Sequence, residues 1–422
     1  MTSAPINPPP VVATVTQGYG HLRAAAAIAD ALGVEIEEVD RHPSAGAGEH
    51  ALWAVARHLY AALSRRSQGP IAGPAFRGLM DRMTAIPDGG HRAPHLERAA
   101  VVLLDRLIRL SVGRRLAERV ERSGSTLVST FYAPALAVDR WATTPVACVV
   151  TDSDAHRVWG PRDPAASRLV YLAPTSRVVT RLTGWGIPPE RVVLTGFPLP
   201  PELVDPGTAA ASFSGRMARL GGLGRSRPTA ADPSPGAQCP RLTLAVGGAG
   251  AQTDHARRLL GPLTPLVTSG QLRLALVAGT NAVVAAHFRR WLREAGLDGL
   301  PRDRIELLWE PSFIAYYRRF NELLLDTDIL WTKPSELSFY AALGIALVLD
   351  DPVGDHERRN RDWLLGLGAA VVREDPASAH HWLPGWLADG TFAAAASNGF
   401  HRLPRSGTER IIAFLQSEFT TR

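Results

Sequence analysis

Twice in this chain a short apolar run leads through a glycine-rich turn directly into a helix-forming segment. The first run is VVATVT, residues 11–16, followed by the turn QGYGH and an alanine-rich stretch that stops at Gly33. The second is LTLAV, residues 242–246, followed by GGAGAQ and a helical stretch that begins near Thr253. Apolar runs that alternate with helical patterns favour parallel sheets covered by helices. We therefore predict an α/β protein with two doubly wound domains.

The predicted domain boundaries follow from composition. Residues 207–240 are rich in Gly, Ala, Ser and Pro and lack helical or strand periodicity, which is typical of a linker or mobile loop. This segment separates an N-terminal domain over 1–206 from a C-terminal domain over 241–400, and a terminal helix is predicted over 401–422. Residues 49–122 are predicted to be a helical insert in the first domain, because apolar and arginine positions fall on different helix faces there.

Composition excludes several classes of protein. With 45% hydrophobic and 20% charged residues, the 422-residue chain is neither disordered nor fibrous. The net charge is +6, but the arginines are scattered, which argues against nucleic-acid binding. Two cysteines cannot make a disulfide framework, and Cys148 lies in the apolar run PVACVV, so a buried, unreactive thiol is expected.

No signal peptide and no membrane-spanning run is visible, so we expect a cytoplasmic protein. The insert contains basic amphipathic segments, ALWAVARHLYAALSRR and VVLLDRLIRLSVGRRLAERVER. Such helices either pack on their own domain or lie on an anionic membrane surface. Peripheral contact with the inner face of the cell membrane is therefore one of two open alternatives.

Candidate catalytic residues follow the strands of the first domain. His21 stands at the end of the first glycine turn, where a histidine can act as a general base because its pKa is near working pH. The alternative is a helix-start histidine bonded to nearby backbone. Asp152 and Asp154 follow the strand VACVV, with His156 and Trp159 close behind. One of these aspartates could orient His21 or take a proton itself, or the loop could be purely structural.

Candidate phosphate-binding residues follow the strands of the second domain. Gly247, Gly248 and Gly250 allow the backbone to approach a phosphate closely, since they carry no Cβ. Neither glycine turn is a Walker motif, and neither fits the dinucleotide fingerprint. Lys333 is the one lysine in the sequence and could place a compact positive charge near a phosphate.

Two further groups could hold a sugar or a ribose. Ser335, Glu336 and Ser338 lie at a predicted helix start, where N–H donors face an anion and a carboxylate could bind ribose hydroxyls. Glu357 and Asn360 are three residues apart, on one side of a helix that begins near 356, and could bind sugar hydroxyls. The alternative for this pair is helix capping and solvated surface.

Together these segments resemble a glycosyltransferase of the GT-B type, in which two Rossmann-like domains face a cleft. The closest resemblance is to the monogalactosyldiacylglycerol synthase family and the related lipid-linked N-acetylglucosaminyltransferase of peptidoglycan synthesis. It covers most of the chain outside the linker. The motifs are QGYGHLRAAAAIADAL, TDSDAHRVW with YLAPTSRVVTRLTGWGIPPERVVLTGFPL, GGAGAQ with LVAGTN, DILWTKPSELSFYAALGIALVL, and DHERRNRDWLLGLGAA.

The resemblance implies inverting transfer of a sugar from a nucleotide sugar, expected to be a UDP-sugar, to a hydroxyl of a lipid or small molecule. It implies neither a metal nor another cofactor. By this resemblance His21 or Asp152 is the base, with His156 as a further catalytic candidate. The acceptor-side residues are Gly18, Gly20 and Trp159. The donor-side residues are Gly247, Gly248, Gly250, Gln252, Gly279, Asn281, Lys333, Ser335, Glu336, Ser338, Glu357 and Asn360.

The chain departs from the family pattern at one place. Family members have glycines after the Thr-Lys pair and then a glutamate that binds the ribose. This chain has PSELS there and Ala341 at the glutamate position, so Glu336 is the alternative ribose ligand. Two other functions stay open: a nucleotide-sugar epimerase of the same fold, and a nucleotide-sugar-binding protein that has lost catalysis.

Overall fold

A computed structural model describes residues 6–16, 18–41, 44–66, 78, 84–86, 95–221, 239–247, 250 and 253–419. These residues form two fully parallel sheets of six strands each, in the orders β2-β1-β3-β4-β5-β6 and β12-β11-β10-β7-β8-β9. The first sheet contains β1 (Val11–Thr14), β2 (Ile36–Glu38), β3 (Leu127–Ser129), β4 (Val146–Val149), β5 (Val170–Ala173) and β6 (Val192–Leu194). The second contains β7 (Arg241–Ala245), β8 (Arg273–Gly279), β9 (Ile305–Trp309), β10 (Ile329–Thr332), β11 (Ala346–Leu349) and β12 (Ala370–Val372). The predicted doubly wound α/β architecture is confirmed.

The chain divides into two compact units, each built on one sheet. Unit 1 comprises residues 1–201, 353–360 and 404–422, and unit 2 comprises 202–352 and 361–403. The helices are α1 (Tyr19–Leu32), α2 (Ala47–Arg66), α3 (His95–Arg109), α4 (Arg114–Ser123), α5 (Tyr132–Trp141), α6 (Ser176–Gly184), α7 (Pro201–Val204), α8 (Pro206–Arg219), α9 (Thr253–Thr268), α10 (Ala282–Glu294), α11 (Phe313–Leu325), α12 (Asp355–Gly366), α13 (Ala379–Ala388), α14 (Thr391–Arg402) and α15 (Gly407–Phe419). Within the described residues, none of these helices has the length and apolar character needed to cross a bilayer.

Each sheet has a point where the direction of strand addition reverses. In unit 1 the chain runs from β1 outward to β2 and then returns to add β3 on the other side of β1. In unit 2 it adds β8 and β9 on one side of β7, and β10, β11 and β12 on the other. Open α/β sheets bind ligands outside the carboxyl ends of the strands at such a switch point. Ligand sites are therefore expected after β1 and β3 in unit 1 and after β7 and β10 in unit 2.

The strands are recognisable in the sequence because both faces of these sheets are covered. All seven residues of β8 and all four of β10 are buried, which is why they are apolar runs rather than alternating patterns. Helix α1 ends as predicted: Gly33 takes a left-handed conformation and its N–H bonds to the carbonyls of the last turn. Cys148 is fully buried on β4, as expected, and burial raises the pKa of its thiol.

The predicted linker is wrong over its first part, since residues 206–219 form helix α8. Asp205 caps this helix by accepting from the N–H groups of residues 207 and 208. Arg216 is buried and donates to the carbonyl oxygens of Leu324, Thr327 and Leu343. Small residues and arginine resemble a linker locally, but here the guanidinium fastens the helix to unit 2 by satisfying buried carbonyls. Residues 222–238 of the predicted linker lie outside the described residues.

The predicted C-terminal domain also loses a short segment to unit 1. Residues 353–360, which contain the start of α12, group with unit 1 because they bond to it at several points. Asp355 accepts from the N–H of Ile86, and its own N–H donates to Thr84. The terminal helix α15 likewise packs on unit 1, where Ile411 and Leu415 join the hydrophobic core around α1.

Candidate active site

The switch point of unit 1 is built around the first glycine turn. Gly18 has φ +87°, a left-handed conformation that favours glycine, and Gly20 lies in the first turn of α1. Thr16 makes two hydrogen bonds to the carboxylate of Asp40: its N–H donates at 3.0 Å and its hydroxyl at 2.5 Å. Asp40 is buried and also pairs with Arg57 of α2. This anchoring fixes the turn from which His21 projects.

His21 bridges the ends of strands β1, β3 and β4. Its Nδ1 lies 2.9 Å from the carbonyl oxygen of Thr130, just after β3, and 3.0 Å from the hydroxyl of Thr151, just after β4. The Thr130 hydroxyl in turn donates to the His21 carbonyl at 2.9 Å. Because a carbonyl oxygen can only accept, Nδ1 carries the proton, and in the neutral ring the basic lone pair is on Nε2. An oriented ring with a basic Nε2 is the arrangement that a general base requires.

Aromatic side chains surround the His21 ring. Phe131 lies edge-on to it, with ring centroids 4.7 Å apart, and Trp159 is 6.1 Å away. Trp159 is buried and also packs against Tyr132, at 5.4 Å. The sequence prediction placed Trp159 on the acceptor side, and the structure brings it beside His21.

The loop that contains Asp152 is held by a residue that lies 208 positions later in the chain. The side-chain oxygen of Asn360 accepts from the Ser153 N–H at 2.8 Å, and its nitrogen donates to Asp152 at 3.3 Å. Asp154 forms a two-point ion pair with Arg181, at 2.9 and 2.7 Å. Asp152 is half-buried, whereas Asp154 is buried and neutralised, so Asp152 is the better placed of the two to meet a ligand.

His156 is less suited than His21 to act as a base. Its Nδ1 accepts from the Val158 N–H at 3.3 Å and so caps the short 3-10 helix 157–159. Burial, reinforced by the nearby His356, lowers the pKa of His156 to about 4. The ring therefore stays neutral at physiological pH while its basic nitrogen serves the backbone.

Glu357 and Asn360 are both fully buried in unit 1. The Glu357 carboxylate accepts from the N–H of Val353 at 2.7 Å and so ties down the turn before α12. Both side chains thus make hydrogen bonds within the protein, and their full burial contradicts the solvated surface that the alternative expected. Their predicted contact with a donor sugar stays a prediction.

The switch point of unit 2 joins the second glycine turn to the single lysine. Lys333 follows β10, and its Cε lies only 3.0 Å from the position that a Cβ on Gly247 would occupy. A Cβ at residue 247 would make the end of the lysine side chain shift slightly, so the two residues are in close contact. The structure therefore brings Gly247 and Lys333 together, as a phosphate site requires. Gly248 and Gln252 lie outside the described residues.

The remaining predicted donor residues surround this point in unit 2. Gly250 has φ +71°, and its carbonyl accepts from the Thr253 hydroxyl at 2.6 Å, which fixes the entry into α9. Gly279 ends β8, and Asn281 caps α10 by accepting from two backbone N–H groups at 3.1 Å. A Cβ on Gly250 would lie 3.4 Å from the Asn281 side chain, so the two turns are adjacent.

The helix predicted to start in the PSELS segment is present as a 3-10 helix, Glu336–Leu343. Ser335 precedes it and donates its N–H to the carbonyl of Lys333 at 2.8 Å. Ser338 is fully buried, and its hydroxyl has no hydrogen-bond partner among the described residues. Glu336 is half-buried, and its predicted contact with a ribose stays a prediction.

Sequence reasoning missed a histidine–aspartate pair in unit 2. His255, in the first turn of α9, lies 2.9 Å from the carboxylate of Asp350 at the end of β11. Asp350 is buried and also accepts from Trp331 at 3.2 Å and from Arg373. The signal was present: His255 follows the glycine turn, and Asp350 directly follows a predicted strand. In unit 1, Thr130 and Asp40 carried a related signal, a polar residue within two positions of the end of a strand.

Comparison with known proteins gives a distant but consistent result. No family model matches the chain. Among curated proteins it is 23% identical over 267 residues to a processive diacylglycerol β-glucosyltransferase of Bacillus subtilis (strain 168), covering 61% of this chain and 60% of that protein. It is 26% identical over 234 residues to the protein of that name from Bacillus cytotoxicus, covering 55% of this chain and 51% of the relative. The chain thus spans about half to three fifths of the length of the curated relatives it matches.

A solved structure supports the fold over nearly the whole chain. A Listeria monocytogenes protein assigned as a UDP-N-acetylglucosamine 2-epimerase superposes with a TM-score of 0.51 at 12% identity, covering 97% of this chain and 96% of that one. This likeness confirms the predicted pair of Rossmann-like domains. The resemblance to glycosyltransferases, stated from the motifs, has its counterpart in the curated sequence relatives.

Proposed function

We propose that the protein is a glycosyltransferase that moves a sugar from a nucleotide-sugar donor to a hydroxyl of a lipid acceptor. The observation that carries this proposal is His21, a histidine oriented through Nδ1 at the switch point of unit 1. The close contact of Gly247 with Lys333 at the switch point of unit 2, where a diphosphate is expected, supports it. The curated relatives, which are named as diacylglycerol glucosyltransferases, support the same reaction and an acylglycerol acceptor.

In the proposed reaction Nε2 of His21 takes the proton of the acceptor hydroxyl. The acceptor oxygen then bonds to the anomeric carbon of the sugar while the bond from that carbon to the diphosphate oxygen breaks. Attack from the face opposite the leaving group gives inversion. A base of this kind contributes about 10²–10⁴-fold to the rate. Asp152, held by Asn360, is the alternative base or the group that stabilises the charge on the sugar.

The leaving nucleoside diphosphate is proposed to sit against Gly247 and Lys333. The lysine supplies a positive charge, and the N-terminus of α9 supplies backbone N–H groups and a helix dipole that favours an anion. These groups stabilise the developing negative charge as the bond breaks. UDP is the expected nucleotide. Glu336 is the proposed ribose ligand, because Ala341 stands where the family has its ribose-binding glutamate.

Peripheral membrane contact is proposed to occur through α2. Leu52, Val55 and Leu59 lie on one face of this helix and are 38%, 65% and 55% exposed. Such an exposed stripe can enter the headgroup region of a bilayer where the acceptor is found. Co-sedimentation with anionic liposomes tests this: Val55→Glu should weaken binding, and equal sedimentation of parent and variant would contradict it.

The test of the proposed function uses purified protein, a panel of nucleotide sugars and diacylglycerol in mixed micelles. Transfer is expected to release nucleoside diphosphate and to form a glycolipid that mass spectrometry detects. An altered sugar still on its nucleotide would indicate an epimerase instead, and binding without turnover would indicate an inactive binding protein.

Variants test the assignment of the base. His21→Gln should lower turnover at least about a hundredfold with little change in donor binding. His380→Gln, at an exposed histidine of unit 2, is the matched control and should leave turnover unchanged. Asp152→Asn is the second variant. If both His21→Gln and Asp152→Asn transfer sugar at the parent rate, the assignment is wrong.

A further inference from the structure

The histidine–aspartate pair of unit 2 has no part in the chemistry proposed so far. Nδ1 of His255 lies 2.9 Å from the carboxylate of Asp350. Because an ionised carboxylate can only accept, Nδ1 carries the proton, and in the neutral ring the lone pair is on Nε2. Nε2 has no hydrogen-bond partner among the described residues, and 16% of the side chain is exposed. The ring is therefore oriented on one side and open to a ligand on the other.

Asp350 is fixed at the carboxyl edge of the second sheet. Its carboxylate is buried and accepts from the indole N–H of Trp331 at 3.2 Å, from Arg373 and from His255. Its own N–H donates to the carbonyl of Thr332 at 2.9 Å. Three donors thus converge on one desolvated carboxylate, so the group that orients His255 cannot turn away from it.

The strand order places this pair beside the proposed diphosphate site. Strand β10 lies between β7 and β11, and neighbouring strands are about 4.8 Å apart. Gly247 comes just after β7, Lys333 directly follows β10, and Asp350 directly follows β11. The turn after β7 leads into α9, whose first turn contains His255. The glycine turn, the lysine and the histidine therefore belong to one short stretch of the sheet edge.

Other charged groups around the start of α9 are already paired or exposed. The pairs are Arg373 with Asp351, at 2.7 Å, and Arg258 of α9 with Asp375, at 2.6 Å. Asp254, the arginines of α10 and the two histidines at the start of α13 are exposed, and segment 376–378, which packs on α9, is uncharged. An anion at this point would meet the positive end of the helix dipole and a ring that can take up a proton.

We propose that His255 binds the diphosphate of the nucleotide sugar through Nε2, as an imidazolium that Asp350 orients and stabilises. The inference rests on the proposed function and deepens it, because it adds a second positively charged side chain to the site of the leaving group. A neutral ring would direct the lone pair of Nε2 at a phosphate oxygen, so binding requires that the ring takes up a proton. As the bond to the anomeric carbon breaks, its electron pair passes to the diphosphate oxygen, and the N–H of His255 stabilises the added charge.

His255→Asn separates phosphate binding from a purely structural role. The asparagine nitrogen takes the place of Nδ1 and can still donate to Asp350, whereas Nε2 is lost. Asp350→Asn is the second variant, since it removes the charge that stabilises the imidazolium. His380→Asn, at an exposed histidine of unit 2, is the matched control. Thermal unfolding verifies that each variant folds, and His255→Asn keeps the test valid even if Asp350→Asn is unstable.

The direct measurement is calorimetric titration with UDP, GDP and dTDP at pH 7.5, in two buffers of different ionisation enthalpy. The terminal phosphate of these nucleotides titrates near pH 6, so protons taken up at pH 7.5 come to the protein. The parent should take up roughly half a proton or more with the nucleotide that it binds. His255→Asn should take up none and bind about tenfold more weakly, and His380→Asn should match the parent. Parent-like affinity and proton uptake in His255→Asn would overturn the proposal, and so would binding by the parent without proton uptake.

Transfer assays separate this proposal from the function on which it rests. If the parent transfers sugar and His255→Asn impairs donor binding or kcat at unchanged acceptor KM, both stand. If the parent transfers sugar and His255→Asn matches it in nucleotide Kd and turnover, the role of His255 fails and the transferase stands. If a nucleotide binds with proton uptake that depends on His255 but no acceptor receives sugar, the transferase fails and the role of His255 stands. If the parent binds none of the three nucleotides, both are contradicted.

Discussion

Asn360→Asp replaces the amide nitrogen of a buried hydrogen bond by a carboxylate oxygen, so that an attractive contact becomes a repulsive one. The side-chain nitrogen of Asn360 donates to Asp152 at 3.3 Å, and both partners belong to unit 1. The oxygen of Asn360, which accepts from Ser153, is retained in the variant. The substitution thus places a carboxylate oxygen against the Asp152 carboxylate without changing the size of the side chain.

The expected loss of stability follows from two free energies, that of charge repulsion and that of proton uptake. Two unit charges 3.3 Å apart repel by about 5 kcal/mol at an effective dielectric constant of 20. Proton uptake by one carboxyl relieves this repulsion and costs about 1.4 kcal/mol per pH unit above about pH 4. The cheaper route sets the limit, so we expect a destabilisation of about 4 kcal/mol at pH 7 and about 1.4 kcal/mol at pH 5.

The pH dependence has a definite sign. The folded variant holds a proton that the unfolded chain releases above about pH 4, so its stability relative to the parent falls as pH rises. Urea unfolding at pH 5, 6 and 7, followed by tryptophan fluorescence, measures this difference. The control is Asn281→Asp, the same substitution at the N-cap of α10. Asp and Asn cap helices about equally well, so its effect should stay below about 0.5 kcal/mol.

Two results would refute the reasoning. A destabilisation of Asn360→Asp that is independent of pH would mean that the two carboxyl groups do not face each other. An effect no larger than that of Asn281→Asp would mean that Asn360 does not hold the Asp152 loop. Either result would contradict the inference that Asn360 positions Asp152.

Three further predictions concern single residues. Lys333→Gln should raise the Kd for UDP about tenfold at low salt, with a smaller effect at 0.5 M NaCl, and an unchanged calorimetric Kd would remove Lys333 from the phosphate site. Arg216→Ala should lower the free energy of unfolding by about 3 kcal/mol, because three buried carbonyls lose their donor, and equal urea midpoints would show that α8 is not held this way. Burial holds the pKa of His156 near 4, below the ordinary 6.5, so the unfolded chain binds the proton first and the parent should lose up to about 3 kcal/mol between pH 7 and 4. His156→Gln should flatten that dependence, and identical pH profiles for parent and variant would contradict it.

The fold was predictable because its signals are local. A parallel strand covered on both faces is apolar over most of its length, as β8 is after Arg273 and β10 is before Thr332. Gly33 marked the end of α1 because a left-handed residue there favours glycine. The same local logic missed α8, although Asp205 and Pro206 mark its start, because the small residues that follow resemble a linker and the carbonyls that Arg216 reaches are distant in the sequence.

For the candidate site, the chain order of residues predicted the neighbourhood but not the partners. The sequence by itself determined that His21 and Asp152 follow strands of the first sheet and that Gly247 and Lys333 follow strands of the second. Because the carboxyl ends of parallel strands meet at one edge of a sheet, each pair was expected at one edge. Only the tertiary structure decided that Thr130 and Thr151 orient His21, and that Asn360 holds Asp152 across 208 residues of chain. It also decided that Asp350 orients His255 across 95 residues of chain. Hydrogen bonds depend on distances of a few ångströms between remote segments, and those distances are set by packing rather than by local pattern.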